Sequence, residues 1–182
     1  LGGLDDEEGL TDRVYEHPFS LVLLDEFEKA NPKILDLFLQ VLDDGRLTDN
    51  KGRTVSFINT IIIATSNAAS ELIREEVNEK EVLDNNFQNT LLEYLQEKGI
   101  FKPELLNRFD AVIVFKPLGM DEIIQITKNL LKSFSVSLSK KDITINFEEK
   151  VIEKIVKEGF NEQFGARPIR RFIQDNIEDL IA

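Results

Sequence analysis

The sequence predicts an α/β fold built on a parallel sheet with flanking helices, followed by a smaller and mostly helical C-terminal unit. The apolar run Leu21-Val22-Leu23-Leu24 leads straight into Asp25-Glu26, which is how a buried parallel strand delivers acid groups to the edge of a sheet. A second run, Asn59-Thr60-Ile61-Ile62-Ile63-Ala64-Thr65, is rich in isoleucine and is expected to lie beside the first. Beyond Lys116-Pro117-Leu118-Gly119, where the pattern breaks, the periodicity is almost entirely helical.

Taken in order, Ser20 to Leu24 reads as a buried strand. Pro32 to Leu42 reads as an amphipathic helix, with Ile34, Leu35, Phe38, Leu39, Val41 and Leu42 at helical spacing. Asp49-Asn50-Lys51-Gly52 supplies the backbone freedom of a turn, so a hairpin of short strands follows. The second core strand, Asn59 to Thr65, carries Ser66-Asn67 at its carboxyl end. Ser70 to Lys98 is polar and helical in pattern, with a break expected around Asp84-Asn85-Asn86. A short helix over Pro103 to Arg108 precedes a strand over Ala111 to Phe115, and a domain boundary falls at Lys116 to Gly119. Then come a long helix (Met120 to Leu138), a short strand (Ile143-Thr144-Ile145), a helix from Phe147 to Glu158 ended by Gly159, and a final helix from Pro168 to Ile181.

Composition narrows the function classes. With 182 residues, 42% of them hydrophobic and 31% charged, the chain suits one or two compact globular units. It contains no apolar run of roughly eighteen residues and no basic-then-apolar leader, so no membrane association is expected. The absence of cysteine removes disulfides, thiolate catalysis and cysteine metal sites, and the single His17 cannot form a histidine cluster. A reducing cytoplasmic setting fits this usage. Acids outnumber bases 34 to 22, and the resulting net charge of −12 repels a phosphate backbone, which argues against a nucleic-acid partner. The same surplus also serves simply to solvate the surface.

Each chemical candidate has a plain alternative. Asp25 and Glu26 at a sheet edge can hold Mg²⁺ and orient a water, or can be solvated acids ending an ordinary strand. Asn67 can cap the helix that begins near Ser70. Arg108 can be a surface arginine paired with Asp110 or Glu104. In Gly165-Ala166-Arg167-Pro168, proline suits the first turn of a helix and glycine allows a tight approach.

The order of these segments is more specific than any one of them. Asp25-Glu26-Phe27-Glu28-Lys29-Ala30 is followed by Val41-Leu42-Asp43-Asp44-Gly45-Arg46-Leu47-Thr48-Asp49, Gly52-Arg53-Thr54-Val55 and Ile61 to Asn67. Pro103-Glu104-Leu105-Leu106-Asn107-Arg108-Phe109-Asp110 and Gly165-Ala166-Arg167-Pro168 complete the series. The series closely resembles the second nucleotide-binding domain of the ClpB/ClpC-like AAA+ unfoldases, hexameric ATPases that thread proteins through a central pore, and the resemblance covers nearly the whole chain. It implies an AAA+ large α/β subdomain over residues 1–117 and a small lid subdomain, expected to be truncated, over residues 118–182. It also implies ATP and Mg²⁺ as cofactors. Asp25 would then hold the metal through its water shell, Glu26 would polarise the attacking water, and Asn67 would be the sensor-1 amide that contacts the γ-phosphate and that water. Arg108 would be the arginine finger that reaches the neighbouring subunit's nucleotide, and Arg167 the sensor-2 arginine that reaches the phosphates of its own subunit. The implied partners are the other subunits of a homo-hexameric ring, unfolded or aggregated protein substrates, and a peptidase or co-chaperone.

No Gly-x-x-x-x-Gly-Lys-Ser/Thr occurs in the sequence, so the phosphate-cradling Walker A loop of the family is missing. Leu1-Gly2 would align just after the pore-loop aromatic, with the acidic run Asp5-Asp6-Glu7-Glu8 disturbing that alignment. The chain is therefore expected to be a fragment of an ATP-dependent unfoldase, inactive alone, with a non-catalytic AAA+-like interaction or regulatory module as the alternative. Asn31 stands where the family commonly has histidine, and Ser56 where it has an acid. Between Asn67 and Phe101 there is no apolar-Gly-Phe or apolar-Gly-Leu peptidase loop, and Gly99-Ile100-Phe101 has the wrong order. This favours a disaggregase over the ATPase subunit of a Clp protease.

Overall fold

The computed structural model describes residues 9–80, 86–161 and 165–178. Expectations placed on Leu1-Gly2, on Asp5-Asp6-Glu7-Glu8, on the break at Asp84-Asn85 and on residues 179–181 of the final helix lie outside the described residues. The chain divides into two compact units, Leu1–Phe115 and Lys116–Ala182.

The first unit opens with helix α1 (Leu10–Glu16), where Gly9 N–H donates to Asp12 Oδ2 at 3.1 Å. Strand β1 (Leu21–Leu24) runs into a 3₁₀ turn at Phe27–Lys29. Helix α2 (Pro32–Asp44) is started by Asn31, whose side chain accepts from Lys33 N–H at 3.0 Å. It is stopped by Gly45, which takes the left-handed conformation at φ 63°. Strands β2 (Arg46–Thr48) and β3 (Thr54–Ser56) form the expected antiparallel hairpin, with Leu47 opposite Val55. Strand β4 (Ile61–Ala64) returns beside β1 in parallel, Leu21 opposite Ile61 and Leu24 opposite Ala64. Helices α3 (Ser70–Lys80), α4 (Phe87–Glu97) and α5 (Pro103–Leu106) follow. The core joins Val22 and Phe27 to Phe38, Val41, Leu91 and Leu105.

The sheet departs from the sequence reading in one respect. A continuous apolar strand is expected to be buried on both faces, yet only one face is covered by described elements. Val22 is buried, whereas Leu21 and Leu23 are each 58% exposed and Ile61 is 64% exposed. Ala111 to Phe115, expected as a strand, forms none. Val112 and Val114 lean on the core while Ile113 and Phe115 stay exposed, so strand-like alternation is present. A ladder partner is absent among the described residues. Ile143-Thr144-Ile145 likewise forms no strand, and the helix expected over Pro103 to Arg108 ends at Leu106.

The hairpin is tied to α1 by one arginine. Arg53 Nη2 pairs with Asp12 and, at 2.9 Å, with Asp49 Oδ2, and its guanidinium carbon sits 4.6 Å from the Tyr15 ring centroid. Asp49 also accepts the Lys51 and Arg53 backbone N–H groups at 2.9 and 2.8 Å, which fixes the turn.

In the second unit, α6 (Met120–Ser139), α7 (Glu149–Gly159) and α8 (Arg167–Ile173) pack around Ile123, Leu131, Ile155, Val156, Ile169 and Ile173. Helix α8 continues as a π-helical turn, Gln174–Glu178. Gly159 permits the approach of α7 to α8, since a Cβ there would lie 3.3 Å from Ile169 Cα and 3.2 Å from Phe172 Cβ.

The Arg53 cluster generates a pH prediction. Hydrogen bonding, to the Arg53 side chain for Asp12 and chiefly to the Arg53 backbone N–H for Asp49, holds both carboxyls below their ordinary 3.8. A depressed folded-state value means that their contribution is complete above 3.8 and is lost as pH falls through the folded values. Arg53→Ala should therefore lower the melting temperature at neutral pH, with the gap to wild type closing in acid below that value. A gap unchanged down to about pH 2 would place the loss in packing against Tyr15 rather than in the acids.

Candidate functional site

The parallel register sets the ends of β1 and β4 side by side, so the residues that follow them meet. Thr65 N–H donates to Leu24 O at 2.9 Å and Phe27 N–H donates to Thr65 O at 3.0 Å, extending the ladder past both strands. The Thr65 hydroxyl then serves both acids: it donates to Asp25 Oδ1 at 2.5 Å and accepts from Glu26 N–H at 3.1 Å. Asp25 is exposed, and its Oδ2 has no partner among the described residues.

Glu26 sits at φ 51°, ψ 48°, in the left-handed region that costs a non-glycine residue about 1–2 kcal/mol. The next residue explains how this is held. Phe27 is buried, edge-on to Phe38 at 5.5 Å and stacked on Phe101 at 5.9 Å between centroids. The Glu26 carboxylate pairs with Lys29 Nζ at 2.8 Å, a hydrogen bond that pushes the Lys29 ammonium above its ordinary value. Beside the acids lies a cavity of about 340 Å³ lined by Asp25, Glu26, Lys29, Ile34 and Phe38 among others.

Asn67 follows β4 in the same edge cluster. It opens α3 through its main-chain carbonyl, which accepts Ser70 N–H at 3.2 Å, so its side-chain amide is not used as the helix cap. That amide is exposed and without a partner among the described residues, while the Asn67 backbone N–H donates to Glu28 Oε1 at 3.3 Å. Arg108 lies just beyond α5, whose Leu105 and Leu106 are buried. It pairs with neither Asp110 nor Glu104 but with Asp43 of α2, Nη2 to Oδ1 at 2.8 Å, the two side chains 48% and 41% exposed. In the second unit, Arg167 is the first residue of α8, exposed and without an ion pair among the described residues.

The structure thus brings Asp25 and Glu26 together through Thr65, with Asn67 two residues beyond it and bound through its backbone to Glu28, and places Arg108 elsewhere on the same unit. Thr65, Glu28, Lys29 and Asp43 belong to the arrangement and escaped the sequence reading. Thr65 alone had a signal: in parallel register the residue after Ala64 must stand beside the residue after Leu24. Among the described residues no group of three or more acids or histidines could hold a metal. Mg²⁺ needs no such cage, being held by one or two carboxylates together with phosphates and waters, so Asp25 with its open Oδ2 fits that mode of binding.

An α/β unit whose adjacent parallel strands end in paired acids and a Ser-Asn turn is the class of site that AAA domains carry. Residues 4–112 match the profile of the AAA domain (Cdc48 subfamily), and residues 118–182 match that of the C-terminal, D2-small domain of ClpB protein. The chaperone protein ClpB of Aquifex aeolicus is 45% identical across 97% of this chain, which spans 18% of that protein. The ATP-dependent Clp protease ATP-binding subunit ClpE of Streptococcus pneumoniae is also 45% identical, across 98% of this chain and 23% of its own length. The S. cerevisiae Hsp104:casein complex superposes with a TM-score of 0.82 at 31% identity, covering 100% of this chain and 31% of that one. The chain belongs to the AAA domain family, Cdc48 subfamily, and it spans about a fifth of the length of these curated relatives.

The Thr65 bridge can be tested by removing its hydroxyl. Thr65→Val should cost about 1–2 kcal/mol in urea unfolding, since two hydrogen bonds go and the Glu26 N–H loses its acceptor. Thr65→Ser should retain most of that stability. No loss in Thr65→Val, which keeps the methyl and removes only the hydroxyl, would show that the bridge contributes nothing to stability.

Proposed function

We propose that this chain is the hydrolysing and sensing part of an ATP-dependent protein unfoldase, with residues 1–117 as its large AAA+ subdomain and residues 118–182 as its lid. The observation that supports this most is the Thr65-bridged edge, where Asp25 and Glu26 meet the end of the adjacent strand, with Asn67 two residues beyond Thr65. Bound ATP and Mg²⁺ supply the phosphoanhydride to be cleaved and the counter-charge for its phosphates. Asp25, its Oδ1 oriented by Thr65, would hold the metal. Glu26 takes the proton of the attacking water, which requires the carboxylate to exchange Lys29 for that water. Asn67 offers an uncharged amide to the γ-phosphate, so cleavage is sensed without a change of local charge.

Arg108 serves a neighbour's site across the boundary of a homo-hexameric ring, leaving Asp43 to do so. Arg167 reaches the phosphates of its own subunit and couples the lid to nucleotide state. The work done is the pulling of unfolded or aggregated polypeptide through the ring. No described helix is long and apolar enough to cross a membrane, which is compatible with a cytoplasmic setting. The lack of an apolar-Gly-Phe loop between Asn67 and Phe101 favours a disaggregase. The equal identity to ClpE supports a second reading, in which the ring feeds a peptidase.

The test is made in the ring-forming protein that carries these residues. Glu26→Gln should keep nucleotide affinity and trap the bound state. Arg108→Ala should also leave affinity nearly intact but lower hydrolysis by about 10³-fold or more. Mixing the two variants should restore some turnover, because interfaces with an intact Glu26 and an intact Arg108 reappear. Normal hydrolysis by Arg108→Ala in an assembled ring would return Arg108 to the role of a surface arginine paired with Asp43.

A further inference from the structure

We propose that Glu28 is a positioning residue, whose carboxylate fixes the turn from which the Asn67 amide meets the γ-phosphate. The proposal rests on the reading of Asn67 as the sensing amide. Glu28 lies in the 3₁₀ turn Phe27–Lys29 that Glu26 opens, and its Oε1 accepts the Asn67 backbone N–H at 3.3 Å, across 39 residues of sequence. The other bonds at that turn are local: Asn67 O accepts Ser70 N–H and Ser66 Oγ accepts Ala68 N–H, both at 3.2 Å. Among the described residues, Glu28 therefore makes the one hydrogen bond that ties the backbone from Ser66 to Ala69 to another element.

The base under Glu28 is closed by its own bonds. Lys29 N–H donates to Glu26 O at 2.9 Å and Ala30 N–H to Phe27 O at 3.1 Å, while the Phe27 ring is held by Phe38 and Phe101. The Asn67 side chain, by contrast, is exposed and has no partner among the described residues, so its backbone sets where the amide can point. A carboxylate acceptor gives that backbone a charge-assisted hydrogen bond, roughly twice as strong as a neutral one. The same acid does little for the fold. Its Oε2 is shut off from solvent with no partner among the described residues, and a buried acceptor left unpaired costs stability. One turn thus carries both the water-activating Glu26 and the support of the sensing amide, so the two groups share a single reference.

The test measures ATP turnover by the ring-forming protein that carries these residues. Glu28→Met keeps the reach of the side chain and removes both oxygens. It should lower kcat about tenfold while KM for ATP and ring assembly stay unchanged, and its melting temperature should not fall below that of wild type. Glu28→Gln, which retains a carbonyl acceptor, should restore kcat to within about twofold of wild type. Glu28→Asp, which keeps the charge but draws the acceptor back by one methylene, should behave like Glu28→Met. Additivity decides whether the effect runs through Asn67: in an Asn67→Ala background, whose backbone N–H is intact, Glu28→Met should cost nothing more. With Asn67→Ala impaired, the positioning role alone would be overturned by normal turnover in Glu28→Met, by full additivity of the two losses, by a Glu28→Gln as impaired as Glu28→Met, or by a melting temperature that falls in step with turnover. Normal turnover in Asn67→Ala would overturn the sensing role and the positioning role with it.

Discussion

The parallel pairing of β1 with β4 decides which groups can meet at the strand ends. Leu24 lies opposite Ala64, so Asp25 and Thr65 are neighbours by register, and one hydroxyl reaches both an acid oxygen and the next backbone N–H. A slip of one residue would turn every side chain of β4 to the opposite face and separate these groups. The pairing is therefore a constraint on chemistry as well as on the sheet. Asp25 receives a fixed donor, Glu26 is bent into its left-handed conformation, and Asn67 is left at the edge with its amide unspent.

Glu26 is held in that conformation from two directions. On one side Thr65 binds the backbone of Glu26 and of Phe27. On the other, the Phe27 ring is locked between Phe38 and Phe101, bringing α2 and the segment before α5 to bear on a single turn. The strain at Glu26 is stored because aromatic packing one residue away is too well made to release it.

Much of this was legible in the sequence, for reasons that can be named. Helix α2 followed from apolar spacing, and the hairpin from Asp49 to Gly52, because these signals are local, whereas α1 was not foreseen. The acids, Asn67 and the two arginines stood out through their order along the chain. Ala111 to Phe115 and Ile143 to Ile145 were misread because β-propensity reports fitness for a pleated surface and not the presence of a neighbouring strand. The plain alternative for Arg108 was a local pair with Asp110 or Glu104, but its partner Asp43 is brought to it by the packing of α5 near the end of α2, which no short window contains. Glu28 was passed over as one more acid, since burial of a single oxygen leaves no mark in a sequence.

The open face of the sheet has a consequence for how a solution of this chain behaves. Leu21, Leu23, Ile61 and Ile63 form a sticky patch on a molecule whose copies otherwise repel one another through a net charge of −12. The repulsion acts over a Debye length of about 8 Å at 0.15 M salt and shortens as salt is added, whereas apolar adhesion is not screened. Colloidal behaviour is thus set by ionic strength: dilute buffer keeps the copies apart, and concentrated salt lets the bare leucines and isoleucines find one another.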